Sequence, residues 1–414
     1  LIIRGILTII MKVSKGIFDL QEDYIMNKKS FTKAGVAALA SAVLLAGCSK
    51  INPDATLITI NPGDGTKDTI TLGYGNFAAR YQQAFTDQML LGYYGEDMWQ
   101  SDQFSQAGST LEQETKGTII DNIEECYLAK SHASDYDIKL SDEQKKAIKK
   151  AAKKFMSDNS KETIEVLGAT EEYVEKYLED RTYLILVSDA AKKVADKDIT
   201  EEQCWNRTFS YVLFDTTGKT DESGAVVEYT DDEIAEFKKQ AEELSKSKDF
   251  DGDVEKLEKT AQKFSYLKGE KEDQSMDMGI INAAEKLSEG EVSSVIEVEG
   301  VGFYVIRLDS DHDKDASQRE REKLQQDAFN ELMDTWKEAV VFKVDDKQWE
   351  KVKFDTLFKA VEKPEDKKDE TSEESTEDTQ EVDTEESTED TTEEESAEDN
   401  TDSAEDSDSE SEAE

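Results

Sequence analysis

The stretch that most narrows what this chain can fold into is residues 282–309, NAAEKLSEGEVSSVIEVEGVGFYVIRLD. Asn282 is a good N-cap and Gly290 a good stop, so a short helix is expected between them. Residues 292–298 then read as a strand, Glu299-Gly300-Val301-Gly302 turns the chain, and residues 303–308 return as a second strand. Upstream, residues 207–214 alternate as another strand, and Thr230 with Glu233 makes a capping box for a helix bearing Ile234, Phe237, Ala241 and Leu244. Asp253 is expected to start a further helix carrying Leu257, Ala261 and Phe264. The order is strand, helices, extended segment, helix, strand, strand.

The two ends of the 414-residue chain are of a different character. Met26 with Lys28, Lys29 and Lys33 makes a positive segment before an apolar run at 34–46, which closes on Leu45-Ala46-Gly47-Cys48. This resembles the lipobox of bacterial lipoproteins and implies that the Cys48 thiol takes a diacylglycerol while residues 26–47 leave as a signal peptide. The run is shorter than the roughly 20 apolar residues of a bilayer span. Residues 1–25 are read as an upstream extension outside the working protein. Residues 363–414 are almost wholly Glu, Asp, Ser and Thr and lack the apolar surface to offset ordering entropy, so a disordered, solvated tail is expected. The tail carries roughly half of the formal charge of −47. Such an excess of carboxylate argues against a nucleic-acid partner, which needs clustered Lys and Arg.

Between the ends, residues 57–60 and 69–72 are short β-branched runs flanking Pro62-Gly63-Asp64-Gly65, a hairpin pattern. The chain then reads as helical to about residue 195. Ser141 and Gln144 form a capping box for a helix with Ile148, Ala152, Phe155 and Met156 inside and Lys145, Lys146, Lys149, Lys150, Lys153 and Lys154 outside. Tyr81, Phe85, Tyr93, Tyr94 and Trp99 supply aromatic residues to the core, or to a groove for unfolded polypeptide. Residues 316–340 and 346–359 are expected as two further helices folding back onto these. Cys126 and Cys204 are expected as buried thiols, with a disulfide between them left open.

The wording L-x-x-G-E-V-S-x-x-I, then Gly, then an aromatic strand ending in Arg-Leu, resembles the C-terminal half of a parvulin-type (PpiC) peptidyl-prolyl isomerase domain. The order lipobox, hairpin, helices and parvulin-like unit resembles the PrsA foldase lipoproteins and the chaperone SurA. The resemblance implies an α+β fold: a discontinuous helical domain from N- and C-terminal segments, an inserted parvulin-like antiparallel sheet with helices, and the acidic tail. The implied limits are 48–199 for the first helical segment, 200–312 for the parvulin-like domain and 313–362 for the returning helices.

Residue by residue, the resemblance is incomplete. Parvulins carry His in the first and last strands; here the matching segments, Phe209-Ser210-Tyr211-Val212-Leu213 and Gly302-Phe303-Tyr304-Val305-Ile306, offer Tyr211 and Tyr304. Leu267, Met278 and Phe303 match substrate-binding positions, while the segment that normally adds a Met and a Phe to the proline pocket is missing. A phenol can replace a neutral imidazole as hydrogen-bond partner, but nothing replaces the pocket wall. The reading is a foldase with a non-catalytic, peptide-holding parvulin-like domain on the extracytoplasmic face of the cell membrane, lipid-anchored through Cys48, which binds unfolded or newly secreted polypeptides. An active prolyl isomerase with an altered site and a wall-binding adhesin on the same scaffold are the alternatives, and a homodimer is left open. No cofactor is expected. Residues 309–320 place Asp309, Asp311, Asp313 and Glu320 at positions 1, 3, 5 and 12 of a calcium loop, but Lys314 stands where the turn wants Gly, so no metal site is expected. With only His132 and His312 in the chain, zinc spacing and a Ser/His/Asp set are both ruled out.

Overall fold

The computed structural model describes residues 51–103, 108–220, 224–273 and 275–360, and the backbone of 41–43. Cys48, most of the leader and the acidic tail lie outside the described residues. The chain opens with β1 (Ser41–Val43), then β2 (Thr56–Asn61) and β3 (Asp68–Thr71). β2 and β3 form the hairpin read from the sequence, with Ile58 opposite Ile70. The Thr71 hydroxyl accepts from the Tyr74 N–H and so caps α1 (Leu72–Tyr94). Four helices follow: α2 (Leu111–Ser131), α3 (Asp142–Asp158), α4 (Lys161–Leu167) and α5 (Glu171–Ala195). The Ser141–Gln144 capping box closes reciprocally at the start of α3. α3 buries Ile148, Ala152 and Phe155 and leaves its six outer lysines exposed.

α6 (Glu201–Cys204) leads into β4 (Asn206–Asp215), the short pair β5 (Lys219–Thr220) and β6 (Val226–Val227), then α7 (Asp231–Leu244) and α8 (Phe250–Lys256). β7 (Gln262–Leu267), α9 (Met278–Ala284), β8 (Ile296–Val298) and β9 (Gly302–Ser310) complete this part. Its sheet is antiparallel in the order β7-β4-β9-β8. One face packs Val212, Phe214, Phe303 and Val305 on Ala241, Leu244, Phe250 and Val254 of α7 and α8. The other packs Phe209, Ile306 and Leu308 on Ile280, Ile281 and Ala284 of α9. Gly302 sits at φ +144° where a Cβ would meet the Phe214 carbonyl oxygen at 2.2 Å, so the turn into β9 admits only glycine.

Three sequence expectations are corrected here. α8 stops at Lys256, with Glu258 in the left-handed region, and Phe264 lies on β7 instead, beside Phe209. The helix before the hairpin starts at Met278, capped by the Asp277 carboxylate, because the buried pair Ile280 and Ile281 must lie on it; Asn282 is inside it. The strand expected from 292 narrows to residues 296–298, since the Ser293 side chain and residues 290–293 bond individually to β9.

α10 (Lys314–Glu338) then runs back along α2 and α5, burying Phe329, Met333 and Trp336 against Leu128, Ala129, Leu184 and Val187. β10 (Val341–Val344) joins β2 on the side opposite β3, with Val344 opposite Ile58. α11 (Asp346–Trp349) is one turn long, and β11 (Phe358–Ala360) pairs with β1. The fold is thus α+β, with a helical body built from both ends of the described chain around a four-stranded antiparallel sheet.

The helix expected at 346–359 is therefore a strap. Val352, Phe354 and Thr356 point in while Lys351, Lys353 and Asp355 point out, which is strand-like alternation. Side chains of α1 and α2 take up the strap's backbone groups. Lys116 Nζ donates to the carbonyls of Trp349 (2.9 Å) and Val352 (2.7 Å), and Glu112 accepts from the Phe354 N–H (3.1 Å). Gln83 donates to the Thr356 carbonyl (2.8 Å) and Asp87 accepts from the Phe358 N–H (2.9 Å). Asp87 also receives the Trp99 indole N–H at 2.6 Å.

Glu112→Ala would leave the Phe354 N–H without its acceptor and Lys116 without its counter-charge, so a loss of about 2–4 kcal/mol in a urea titration is expected. A change below about 0.5 kcal/mol would show the strap to be held by packing alone. Burial pushes the Asp87 carboxyl up from 3.8 to about 6, against the donors that favour its charge. The folded state therefore holds this proton more tightly than the unfolded chain. Its stabilising effect is full below 3.8 and lost as pH rises through about 6. On going from pH 7 to pH 5 the parent should gain roughly 1 kcal/mol more than Asp87→Asn, measured by denaturation at both pH values.

Candidate functional site

Tyr211 and Tyr304 lie on neighbouring strands of the sheet, Tyr211 opposite Ile306 and Tyr304 opposite Leu213. Side chains alternate along a strand, so both project from the face that α9 covers further along. Their ring centroids are 5.8 Å apart at 40°, and Phe209 stands 6.2 Å from Tyr211. The Tyr211 hydroxyl donates to Gln262 Oε1 of β7 at 2.5 Å. Burial, with Tyr211 and the carboxylates of Asp215 and Asp277 adding to it, raises the Tyr304 phenol above its ordinary value. The two phenols stand on a half-buried apolar face that also holds Phe264, Met278, Ile296 and Val298.

The other positions matched from the sequence are divided between the two faces. Met278 joins the tyrosine face at the first turn of α9. Phe303, adjacent to Tyr304 in the chain, necessarily points the other way, where it is buried against the α7–α8 layer with Lys238 over its ring at 5.6 Å. Leu267 pairs with Asn206 at the far end of β7 and shares the parity of Phe303's face. Neither Phe303 nor Leu267 is brought to the tyrosines. From β7 the chain passes through a turn in which Asp273 Oδ1 accepts the N–H groups of Ser275 and Met276, and it enters α9 directly.

The carboxylates of the calcium-like sequence are spent on structure. Asp309 binds the Ser210 hydroxyl and Arg307, Asp311 pairs with Arg207 Nε at 2.9 Å, and Asp313 caps α10 while accepting from the Thr208 hydroxyl. Among the described residues no group of three or more His, Cys, Asp or Glu is arranged to hold a metal ion. Cys126 and Cys204 are free, buried thiols, and burial pushes that of Cys126 up to about 12.

A second apolar surface lies at the end of α1. Tyr81 and Trp99 are core residues, but Phe85 is half-buried, and Met89, Tyr93 and Tyr94 are 38%, 85% and 40% exposed. Phe85, Met89 and Tyr93 follow one another at four-residue spacing and so form one stripe. The sequence reading had the aromatic residues without Met89, which the same spacing would have added.

Fold and site together define an α+β protein with a four-stranded antiparallel sheet inserted between the two parts of a discontinuous helical body. No protein-family model matches the chain. A foldase protein PrsA of Clostridium botulinum (strain Loch Maree / Type A3) is 24% identical over 292 residues, 65% of this chain and 83% of its own length. The PrsA of strain 657 / Type Ba4 is 24% identical over 297 residues, with the same shares covered. Among solved structures, the peptidylprolyl isomerase PrsA of Bacillus cereus aligns over 58% of this chain and 91% of its own, at 18% identity and a TM-score of 0.27. Over 65% of its length the chain is therefore similar to curated PrsA foldase proteins.

Phe303→Ala should cost about 3–4 kcal/mol of unfolding free energy, as a buried packing residue, whereas Tyr211→Phe should cost about 1 kcal/mol or less. Urea titration of both variants checks this; comparable losses would show that Tyr211 is equally part of the packed core.

Proposed function

We propose that the chain is an extracytoplasmic foldase, anchored to the cell membrane through lipid on Cys48, that holds unfolded or newly secreted polypeptides. The observation that carries this reading is the Phe85-Met89-Tyr93 stripe, which runs from a half-buried Phe85 to an exposed Met89 and Tyr93 at the end of an otherwise well-packed helix. Met adapts its shape and Tyr gives large contact area at low entropic cost, a combination suited to clients without a common sequence. The names of the curated relatives point the same way. The proposed working parts are residues 48–199 with 313–362 as the holding body and 200–312 as the parvulin-like domain. The tyrosine face serves as a second apolar contact for clients rather than as an efficient catalytic site. Rotation about X-Pro has a barrier near 20 kcal/mol, and lowering it takes a pocket that grips proline in the twisted state. Met278 and the tyrosines form an open face in its place.

Suppression of aggregation of an unfolded protein tests the holding function. Met89→Ser/Tyr93→Ser/Tyr94→Ser should raise the concentration needed by roughly tenfold while leaving unfolding free energy within about 0.5 kcal/mol of the parent. Unchanged suppression would remove the stripe as the holding surface. Exchange measured on X-Pro peptides should show binding without acceleration; acceleration at substoichiometric protein would establish a working isomerase. Cys48→Ser should abolish incorporation of labelled lipid, and retained label would overturn the anchor.

A further inference from the structure

The four-stranded sheet ends on one side in β7, which has six residues, and on the other in β8, which has three. Among the described residues β7 pairs with β4 alone. Which of its backbone groups are left over follows from the register. The Lys268 N–H bonds to the Trp205 carbonyl at 2.8 Å, one step beyond the pair of Asn206 and Leu267. Hydrogen-bonded pairs of an antiparallel ladder recur at every second residue, so Tyr266, Phe264 and Gln262 also turn their N–H and C=O groups to β4. Asn206 of β4 agrees, because its carbonyl and N–H go the other way, to the Asp313 N–H and the Ser317 hydroxyl. Lys263, Ser265 and Leu267 therefore turn theirs outward. The Leu267 carbonyl is taken by the Glu270 N–H at 3.0 Å, but for the N–H and C=O groups of Lys263 and Ser265 the described residues offer no partner. This edge borders the tyrosine face. Phe264 lies on that face with its ring 5.6 Å from that of Phe209, and Gln262 on the same face takes the Tyr211 hydroxyl. The opposite face of β7 is polar, with the Ser265 hydroxyl 2.7 Å from that of Thr208 and Lys263 Nζ 3.8 Å from Asp309.

We propose that the free edge of β7 is a strand-addition site for an extended client segment whose side chains alternate between apolar and polar. The inference rests on the reading of the chain as a polypeptide-holding foldase and adds to it the geometry of capture. A strand laid along β7 satisfies the outward groups of Lys263 and Ser265 through its own main chain, so it needs no particular sequence. Alternation then sorts its side chains. Those on the side of Phe264 come within about 5 Å of the β7 residues opposite and extend the apolar face of Tyr211, Tyr304 and Met278 by one strand. Those on the other side meet Lys263 and Ser265 and remain polar. Lys263 also sets a charge beside the edge, which opposes pairing with a second copy of it. An unfolded chain has its main chain free for such pairing, whereas a folded one has spent it, so the edge distinguishes clients from finished proteins.

The probe is a fluorescein-labelled peptide that alternates valine with threonine between glutamate ends, followed by anisotropy as the full chain is titrated in. Two further versions carry N-methyl groups, one on the valines and the other on the threonines. N-methylation removes a donor, and in an added strand the donors that face β7 belong to only one of the two sets. One version should bind as the parent peptide does and the other about tenfold or more weakly. Lys263→Pro, which removes an outward N–H and no bond to β4, should weaken the parent peptide by about tenfold. Lys263→Ala, which loses the approach to Asp309 but keeps the N–H, should leave binding within about twofold. Equal effects of the two methylations, or binding indifferent to Lys263→Pro, overturn the proposal. A dimer that Lys263→Pro disperses, seen by sedimentation, would give the edge to a second copy and overturn it as well. Aggregation suppression by the same preparations separates the two readings. Suppression with peptide binding blind to the methylation pattern overturns the edge and keeps the foldase; pattern-dependent binding without suppression keeps the edge and overturns the foldase.

Discussion

Lys116, Glu112, Gln83 and Asp87 hold residues 349–358 to the helical body one backbone group at a time. A buried extended segment normally meets its hydrogen-bonding needs in a sheet; this one meets them from two helices. The arrangement places ionisable groups where water is scarce, and the desolvation is visible in Asp87, held near 6, and in Lys116, lowered to about 8. Because each group is fully engaged, the strap cannot shift by one residue without stranding a charge. Val352, Phe354, Leu357 and Phe358 are thereby fixed in register with the core of Leu57, Leu72 and Trp99 on one side and of Phe77 and Phe155 on the other. The stripe of α1 is left outward because the inward side of that helix is committed to the strap.

The sheet unit leaves and rejoins the helical body at one place. The Asn206 carbonyl accepts from the Asp313 N–H, the Asn206 N–H donates to the Ser317 hydroxyl, and the Trp205 indole donates to the Asp311 carbonyl. Arg321 of α10 pairs with Asp196 just past α5. A unit whose two ends are bonded to each other perturbs its host little, which is why the sheet can carry its own two-sided core while α10 continues the packing of α2 and α5.

Much of this was legible. The β2–β3 hairpin, the Ser141 box and the strand at 207–214 follow from turn residues, caps and alternation within a few positions of each other. The strap is not legible in the sequence because its partners lie far upstream, 233 residues from Trp349 to Lys116 and 273 from Thr356 to Gln83. Within residues 346–359, expected as a helix, the alternation of Lys351, Val352, Lys353 and Phe354 is the strand-like signal. Phe264 went astray for a similar reason, since only Phe209 on β4 decides that it belongs to a strand. At the site, family correspondence brought Tyr304 and Phe303 together, whereas strand parity alone separates them.

The pairing of β2 with β10 has a consequence for the order of events during synthesis. Ile58 meets Val344, so the first sheet of the chain is completed by a strand made almost three hundred residues later. The strands β4, β7, β8 and β9 of the four-stranded sheet, in contrast, all lie between Asn206 and Ser310 and pair only with one another. A chain that emerges amino-terminus first can therefore close its inserted sheet while its outer body is still waiting, with β2 and the apolar side of α1 unsheltered. The last part of the protein to form is the body that contains its first strands.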